Sequence, residues 1–283
     1  MRLDVKKTYK LFIGGKFPRS ESGRTYELTS AKGEFVANVC LASRKDARDA
    51  VVAARAAQPG WAAATAYNRG QILYRIAEML EGRRDQFVEE IRTLTGATEK
   101  QTNQEVDAAI DSWVWHAGWS DKVDSVAGSM NPVAGPYFNI STNQPTGVVA
   151  AFAPQESSLV GLVNTIAPVI VTGNTLVVVT SELLPLSAIT LTEVLATSDL
   201  PGGVVNVLTG KESEMAPWLA SHQDVNALDL EGTSDPVDLE IRGAETLKRV
   251  VRKGTFSRNG SKGSLQQILA FMEIKTVWHP KGH

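Results

Sequence analysis

The sequence holds a single cysteine, Cys40, in 283 residues. One thiol excludes an internal disulfide framework and any zinc site built on cysteines, and it leaves Cys40 as the only candidate thiol nucleophile. Histidine is nearly as scarce. His116, His222, His279 and His283 stand apart, without His-x-x-x-His or Glu-x-x-His spacing, so no metal site is expected. No apolar run approaches the ~20 residues that cross a bilayer. One apolar run lies near 166–170 and is soon interrupted by Gly173 and Asn174. The basic stretch 1–10 has no apolar segment behind it. A cytoplasmic protein without membrane association is therefore expected. An excess of one charge is also missing, with 29 basic residues against 31 acidic ones and a formal net charge of −2. That balance gives no electrostatic basis for a nucleic-acid partner. Finally, there is no G-x-G-x-x-G fingerprint of dinucleotide binding.

What is present is an ordinary globular composition, 43% hydrophobic and 21% charged, long enough for one large domain or two small ones. The N-terminal half reads as short strands followed by helices. Leu11-Phe12-Ile13 reads as a strand closed by Gly14-Gly15, and 35–41 as a second strand that contains Cys40. Ser43 with Asp46 is a capping-box signature for a helix over 45–57, which Pro59-Gly60 should stop. Between 67 and 94 the apolar positions Ile72, Leu73, Ile76, Met79, Leu80, Phe87, Ile91 and Leu94 recur at helical spacing. A further helix over 104–123 places Val106, Ile110, Trp113 and Ala117 on one face, and Trp113, Trp115 and Trp119 read as helix-packing aromatics. The Arg83-Arg84 pair reads as a solvated helix face.

From Gly147 onward the style changes. Strand-like runs at 148–153, 175–180, 204–208, 225–230 and 247–252 alternate with helical stretches at 159–170, 186–197, 215–222 and 235–243. Such alternation implies right-handed crossovers and a parallel sheet covered on both faces, so the fold class is α/β with a Rossmann-like sheet. The stretch 137–144 reads as extended and 274–278 as a terminal strand. In such a sheet, ligands bind outside the carboxyl ends of the strands. The turn Gly232-Thr233-Ser234 could present backbone N–H groups and a hydroxyl to a phosphate, or could simply cap the next helix.

Three segments carry a longer pattern: PTGVVAAFAP from Pro145, IAPVIVTGNTLVVVTSE from Ile166, and LPGGVVNVLTG ending at Gly210. In order and spacing these resemble the cofactor-binding domain of the aldehyde dehydrogenase superfamily. YKLFIGGKF, NRGQILYRIAEMLEGRRDQF and HQDVNALDLEGTS resemble further parts of it. The resemblance implies a domain order: 8–134 as the N-terminal strand and helical part, 135–147 as oligomerisation-flap strands, 148–252 as the Rossmann-like core, and 265–283 as an oligomerisation tail. It also implies that a linker, 253–264, stands where the family carries its catalytic domain. Family members attack an aldehyde with a cysteine thiolate, pass hydride to NAD(P) and hydrolyse the acyl-enzyme with a glutamate base.

Residue by residue, that chemistry is not carried here. Cys40 lies far from the nucleophile's place in the pattern and reads as a small packing residue. Pro154-Gln155-Glu156 replaces the family's Pro-Trp-Asn, whose asparagine stabilises the oxyanion. Val179 and Thr180 replace the Lys-Pro before Ser-Glu, although Ser181 and Glu182 remain. The strand that would end in the base-bearing Glu-Leu-Gly-Gly reads RVVRKG from Arg249. The resemblance is strongest to the truncated, cysteine-less second module of a two-module branch, read either as standing alone or as part of a longer chain. It implies no catalytic residue. Any residual NAD contact would rest on Ser181, Glu182, Gly210, Gly232 and Thr233. The implied role is a catalytically inactive structural or regulatory subunit, partnered by its own copies or by a full-length aldehyde dehydrogenase. The alternative is an NAD(P)-binding module within such a complex.

Overall fold

The computed structural model describes residues 7–256 and 263–282. The chain opens with β1 (Thr8–Tyr9), β2 (Thr25–Thr29) and β3 (Phe35–Cys40), a small sheet in the order β1-β3-β2. Helices α1 (Arg44–Ala63), α2 (Ala66–Glu81), α3 (Arg84–Thr95), α4 (Glu99–Trp119) and α5 (Val123–Ala127) follow. Next come β4 (Ser129–Asn131) and β5 (Tyr137–Pro145), and then the alternating half: β6 (Val148–Phe152), α6 (Val160–Ile170), β7 (Thr175–Val179), α7 (Leu186–Ala196), β8 (Val205–Leu208), α8 (Glu212–Ser221), β9 (Ala227–Asp229), α9 (Pro236–Ala244) and β10 (Arg249–Val251). The described chain closes with α10 (Leu265–Leu269) and β11 (Met272–Pro280). The stretch 253–264 can be followed only in part, since 257–262 lie outside the described residues.

Strands β6 to β10 form a five-stranded parallel sheet in the order β10-β9-β6-β7-β8. Their apolar runs are continuous because both faces are covered. Side chains alternate across the sheet. Val149, Ala151, Leu176, Val178, Val205 and Val207 join the core shared with α6, α7 and the layer of α2, α3 and α4. Val148, Ala150, Phe152, Val177, Val179 and Leu208 join the opposite core, with α1 and α8 and with Leu239 of α9. The α/β class with a parallel sheet is thus the observed fold.

Several boundaries differ from the sequence expectation. Pro59-Gly60 does not end α1, which continues to Ala63 because Trp61 is buried and its Nε1 donates to Ile170 O at 2.8 Å. A docked aromatic outweighs the one backbone hydrogen bond that proline removes. The periodic stretch 67–94 is two helices broken at Gly82, and α4 starts early, at a capping box made by Thr98 and Gln101. Residues 11–13 are not a strand. Phe12 makes an isolated antiparallel bridge to Val207, which fastens this segment beside β8. Strands β2 and β4 were not anticipated, as both are short and largely polar or exposed.

The flap is a ribbon. β11 pairs antiparallel with β5 from Met272 opposite Pro145 to Pro280 opposite Tyr137, and β4 pairs on the other side of β5. Its root is held by Asn174, which is fully buried. Asn174 Oδ1 accepts from Gly147 N at 2.7 Å, and its Nδ2 donates to Phe271 O and Thr172 Oγ1, each at 2.7 Å. One side chain therefore ties the start of β6 to the entrance of β11. Asn174→Ala leaves buried donors and acceptors without partners and is expected to cost about 2–4 kcal/mol, read as a lower denaturant midpoint at unchanged m.

Glu90 of α3 is buried against α7, where Thr190 Oγ1 donates to it at 2.7 Å. Burial pushes its carboxyl above the ordinary value, with the Thr190 and Gln86 hydrogen bonds working in the opposite direction. A folded-state value above the unfolded one favours the protonated form, so stability falls as pH rises from the unfolded value through the folded one. Glu90→Gln is expected to melt at a higher temperature than the wild type at neutral pH, with the difference vanishing in acid.

Candidate functional site

In the observed strand order, β7 and β8 extend to one side of β6, while β9 and β10 lie on the other. The direction of winding therefore reverses between β6 and β9, which is where an open α/β sheet offers its ligand crevice. The loops at that end of the sheet are 153–159 after β6, 180–185 after β7, 209–211 after β8 and 230–235 after β9. All five residues singled out for cofactor contact stand on these loops.

Their side chains and backbones are engaged within the chain. Ser181 Oγ donates to Gln155 O at 2.9 Å and accepts from Leu184 N at 3.0 Å. Glu182 N donates to Gln155 Oε1 at 3.0 Å, and Glu182 O accepts from Tyr26 Oη at 3.2 Å. Burial, and next the Glu182 charge, push the Tyr26 hydroxyl above its ordinary value, so it stays a neutral donor. Gly210 has φ +121°, and a Cβ there would lie 2.8 Å from Leu41 Cδ1. Gly232 sits in the mouth of the crevice itself, where a Cβ would come 2.2 Å from Phe152 O and 2.6 Å from Ala153 O. Thr233 is buried, and its hydroxyl donates to Glu212 Oε1.

Sequence reasoning missed three carboxylates that organise this end of the sheet. Glu105 Oε1, from α4, accepts from Leu159 N at 2.9 Å and from Val160 N at 3.4 Å, so it caps α6, whose own N-cap residue, Leu159, makes no side-chain cap. Glu212 holds the turn after β9. Both oxygens of Glu231 accept from Gly254 N at 3.1 Å, which fastens the segment beyond β10. Only the acidic first turn of α8 was visible as a sequence signal. The partners reached across the fold were not. Val179 is apolar and buried, the Ser181 and Thr233 hydroxyls are committed, Gly232 lies close against the backbone at the end of β6, and Glu182 retains a carboxylate suited to ribose hydroxyls.

The cations and aromatics are also accounted for. Arg249 Nη2 pairs with Glu273 at 2.7 Å, Arg252 Nε with Glu240 at 3.2 Å, and Lys253 Nζ donates to Thr233 O at 2.9 Å. Arg83 pairs with Glu193, and Arg84 with Glu81 and Asp107. Trp113 is buried in the helical layer, Trp115 and Trp119 pack with ring centroids 5.6 Å apart, and the chain returning at Gly263 lies directly on Trp115. Among the described residues, no group of three or more His, Cys, Asp or Glu side chains is arranged to hold a metal ion. None of the described helices is long and apolar enough to cross a membrane.

The sequence model of the aldehyde dehydrogenase family matches residues 17–252. This chain belongs to that family. It is 33% identical to human retinal dehydrogenase 2 over 88% of its own length and 48% of the relative's. It is 31% identical to the cytosolic 10-formyltetrahydrofolate dehydrogenase of Mus musculus over 83% of its own length and 26% of the relative's. An aldehyde dehydrogenase from Bacillus cereus, solved as its NAD+ complex, superposes with a TM-score of 0.81 at 26% identity, over 86% of this chain and 50% of that one. The chain spans at most about half the length of these relatives.

Within this aldehyde dehydrogenase fold the only cysteine is a core residue. Cys40 ends β3, is 1% exposed, and its carbonyl accepts from Thr209 Oγ1 at 2.6 Å. It packs with Ala47, Ala50 and Val51 in the core on the α1 face. A thiol without access to solvent cannot meet a carbonyl substrate. Cys40 is expected to resist a thiol reagent such as dithionitrobenzoate in the native protein and to react with one equivalent after guanidinium unfolding. Rapid native labelling would contradict this placement.

Proposed function

We propose that this chain is a catalytically inactive member of the aldehyde dehydrogenase family that serves as a structural or regulatory subunit through its β5–β11 ribbon. The observation that carries this reading is the ribbon's exposed apolar surface. Ile274 is 72% and Trp278 57% exposed, and Met130, Tyr137, Phe138, Ile140 and Val277 are exposed with them. By register Tyr137, Ile274 and Trp278 lie on one face of the ribbon and Met130, Phe138, Ile140 and Val277 on the other, and exposed apolar surface of this kind marks interaction sites. Fully covering one such side chain is worth about 1.5–3 kcal/mol. Along β11 the backbone groups on the side away from β5 have no strand partner among the described residues, and such an edge accepts another strand.

Three departures support catalytic silence. Cys40 is sealed in a core. Glu156 stands where the resemblance places the family's oxyanion-stabilising asparagine, so a carboxylate replaces the donor and would repel a developing oxyanion. The cations of 249–253 stand where the family's base would lie and are spent on structural contacts. In this reading 253–264 is the short connection that replaces a catalytic domain, and the flap strands and tail are the parts kept for association. The partner is a second copy or a complete aldehyde dehydrogenase, and the setting is the cytoplasm. A second reading, a dinucleotide-binding module within such a complex, is favoured by one observation, the carboxylate of Glu182 on the loop after β7.

Removing residues 274–283 is expected to lower the oligomeric mass measured by light scattering, alone or mixed with a full-length aldehyde dehydrogenase. An unchanged mass would sink the subunit role. Reduction of NAD+ with an aldehyde, lost in Cys40→Ala, would refute catalytic silence.

A further inference from the structure

The turn between β9 and α9 carries an inference that rests on the reading of this chain as non-catalytic and deepens it. In a fold of this kind the N–H groups opening a helix at the crevice are the natural donors to a phosphate. Here the chain's own oxygens hold them. Glu212 Oε1, from the first turn of α8, accepts from Thr233 Oγ1 and from Ser234 N, the latter at 3.2 Å. Asp235 N donates to Thr233 Oγ1 at 3.3 Å, and Asp235 Oδ1 accepts from Asp238 N at 3.4 Å. From the other side, Lys253 Nζ holds Thr233 O, and Glu231 takes Gly254 N.

The turn is thus clamped between α8 and the segment after β10. Around it stand the carboxylates of Glu212, Glu231, Asp235 and Asp238. The cations nearby are committed, Lys253 to Thr233 O, Arg242 to Asp238 at 2.6 Å and Arg252 to Glu240. A second anion would find the Thr233 hydroxyl and the Ser234 and Asp235 amides already taken and a field of the wrong sign.

We infer that Glu212 is an internal anion that occupies the donors of the 232–235 turn and closes the crevice to the phosphates of a dinucleotide. The carboxylate does for this turn what a bound phosphate does in a nucleotide-binding fold, so the turn is ordered without ligand. Removing the carboxylate frees the Thr233 hydroxyl and the Ser234 amide and takes one negative charge from the opening.

The test is titration calorimetry of the whole chain with NAD+ and, separately, with inorganic diphosphate. The wild type is expected to give no saturable heat with either at up to millimolar concentration. Glu212→Ala is expected to bind at least one of them, at least tenfold more tightly than that limit. Micromolar NAD+ binding by the wild type overturns the inference, and so does a Glu212→Ala variant that folds normally by circular dichroism yet stays blank. Hydrogen exchange decides the matter independently of the alanine variant's folding. The Ser234 amide should be protected in the wild type and exchange at least tenfold faster in Glu212→Gln, where the acceptor is neutral. An unprotected Ser234 amide in the wild type overturns the lock outright. None of these readings depends on oligomeric mass, so the subunit role and the internal anion stand or fall separately.

Discussion

Burial of the parallel sheet on both faces is the constraint from which the rest of this structure follows. Every residue of β6 and β7 is buried, and side chains of alternating parity feed two separate cores. With both faces sealed, only the strand ends can host polar groups, and each end has a distinct task. At the amino ends, asparagines serve as pegs. Asn174 ties the flap root to β6. Asn206 accepts from Gly14 N at 2.9 Å and donates to Leu176 O and Gly203 O. Asn226 accepts from Val148 N at 3.0 Å. Each satisfies buried backbone groups that the end of a ladder leaves open.

At the carboxyl ends the same problem is solved with charge. The loops there face a crevice that, in a nucleotide-binding fold, would be completed by a ligand. The Leu159 amide and the Thr233 hydroxyl there belong to buried residues, and an unpaired buried N–H or hydroxyl costs ~1–3 kcal/mol. Glu105 at α6, Glu212 at the turn after β9 and Glu231 at the returning segment supply the acceptors. Charge-assisted hydrogen bonds are the stronger kind, which suits carboxylates to holding loops at a sheet edge without outside help.

Much of the fold was legible in the sequence, because its signals are local. Continuous β-branched runs such as TLVVV mark a strand buried on both sides, and the Ser43–Asp46 box marks the start of α1. The boundaries that moved are those where tertiary contact overrides local preference. Trp61 docking on Ile170 carries α1 past Pro59, and Phe12 meets Val207 across a gap in sequence that no periodicity reveals. The site shows the same division. Ser181, Glu182, Gly210, Gly232 and Thr233 could be named from a pattern. That two of the three side chains among them, those of Ser181 and Thr233, are drawn inward depends on Gln155, Leu184 and Glu212, which are distant in sequence or unremarkable in type.

The stretch where the chain departs from its family is also where these contacts converge. Lys253 and Gly254 lie just past β10, the point at which a catalytic domain would begin in the resemblance. Both are fastened to the turn that ends β9. On the far side of 257–262 the chain resumes at Gly263, so close to Trp115 that a Cβ would come within 2.5 Å of the indole ring. Thr233 is contacted both by Glu212 of α8 and by Lys253, and Glu231, two residues before it, holds Gly254 N. The turn after β9 is therefore held by protein on both sides, by Glu212 of α8 and by Lys253 past β10.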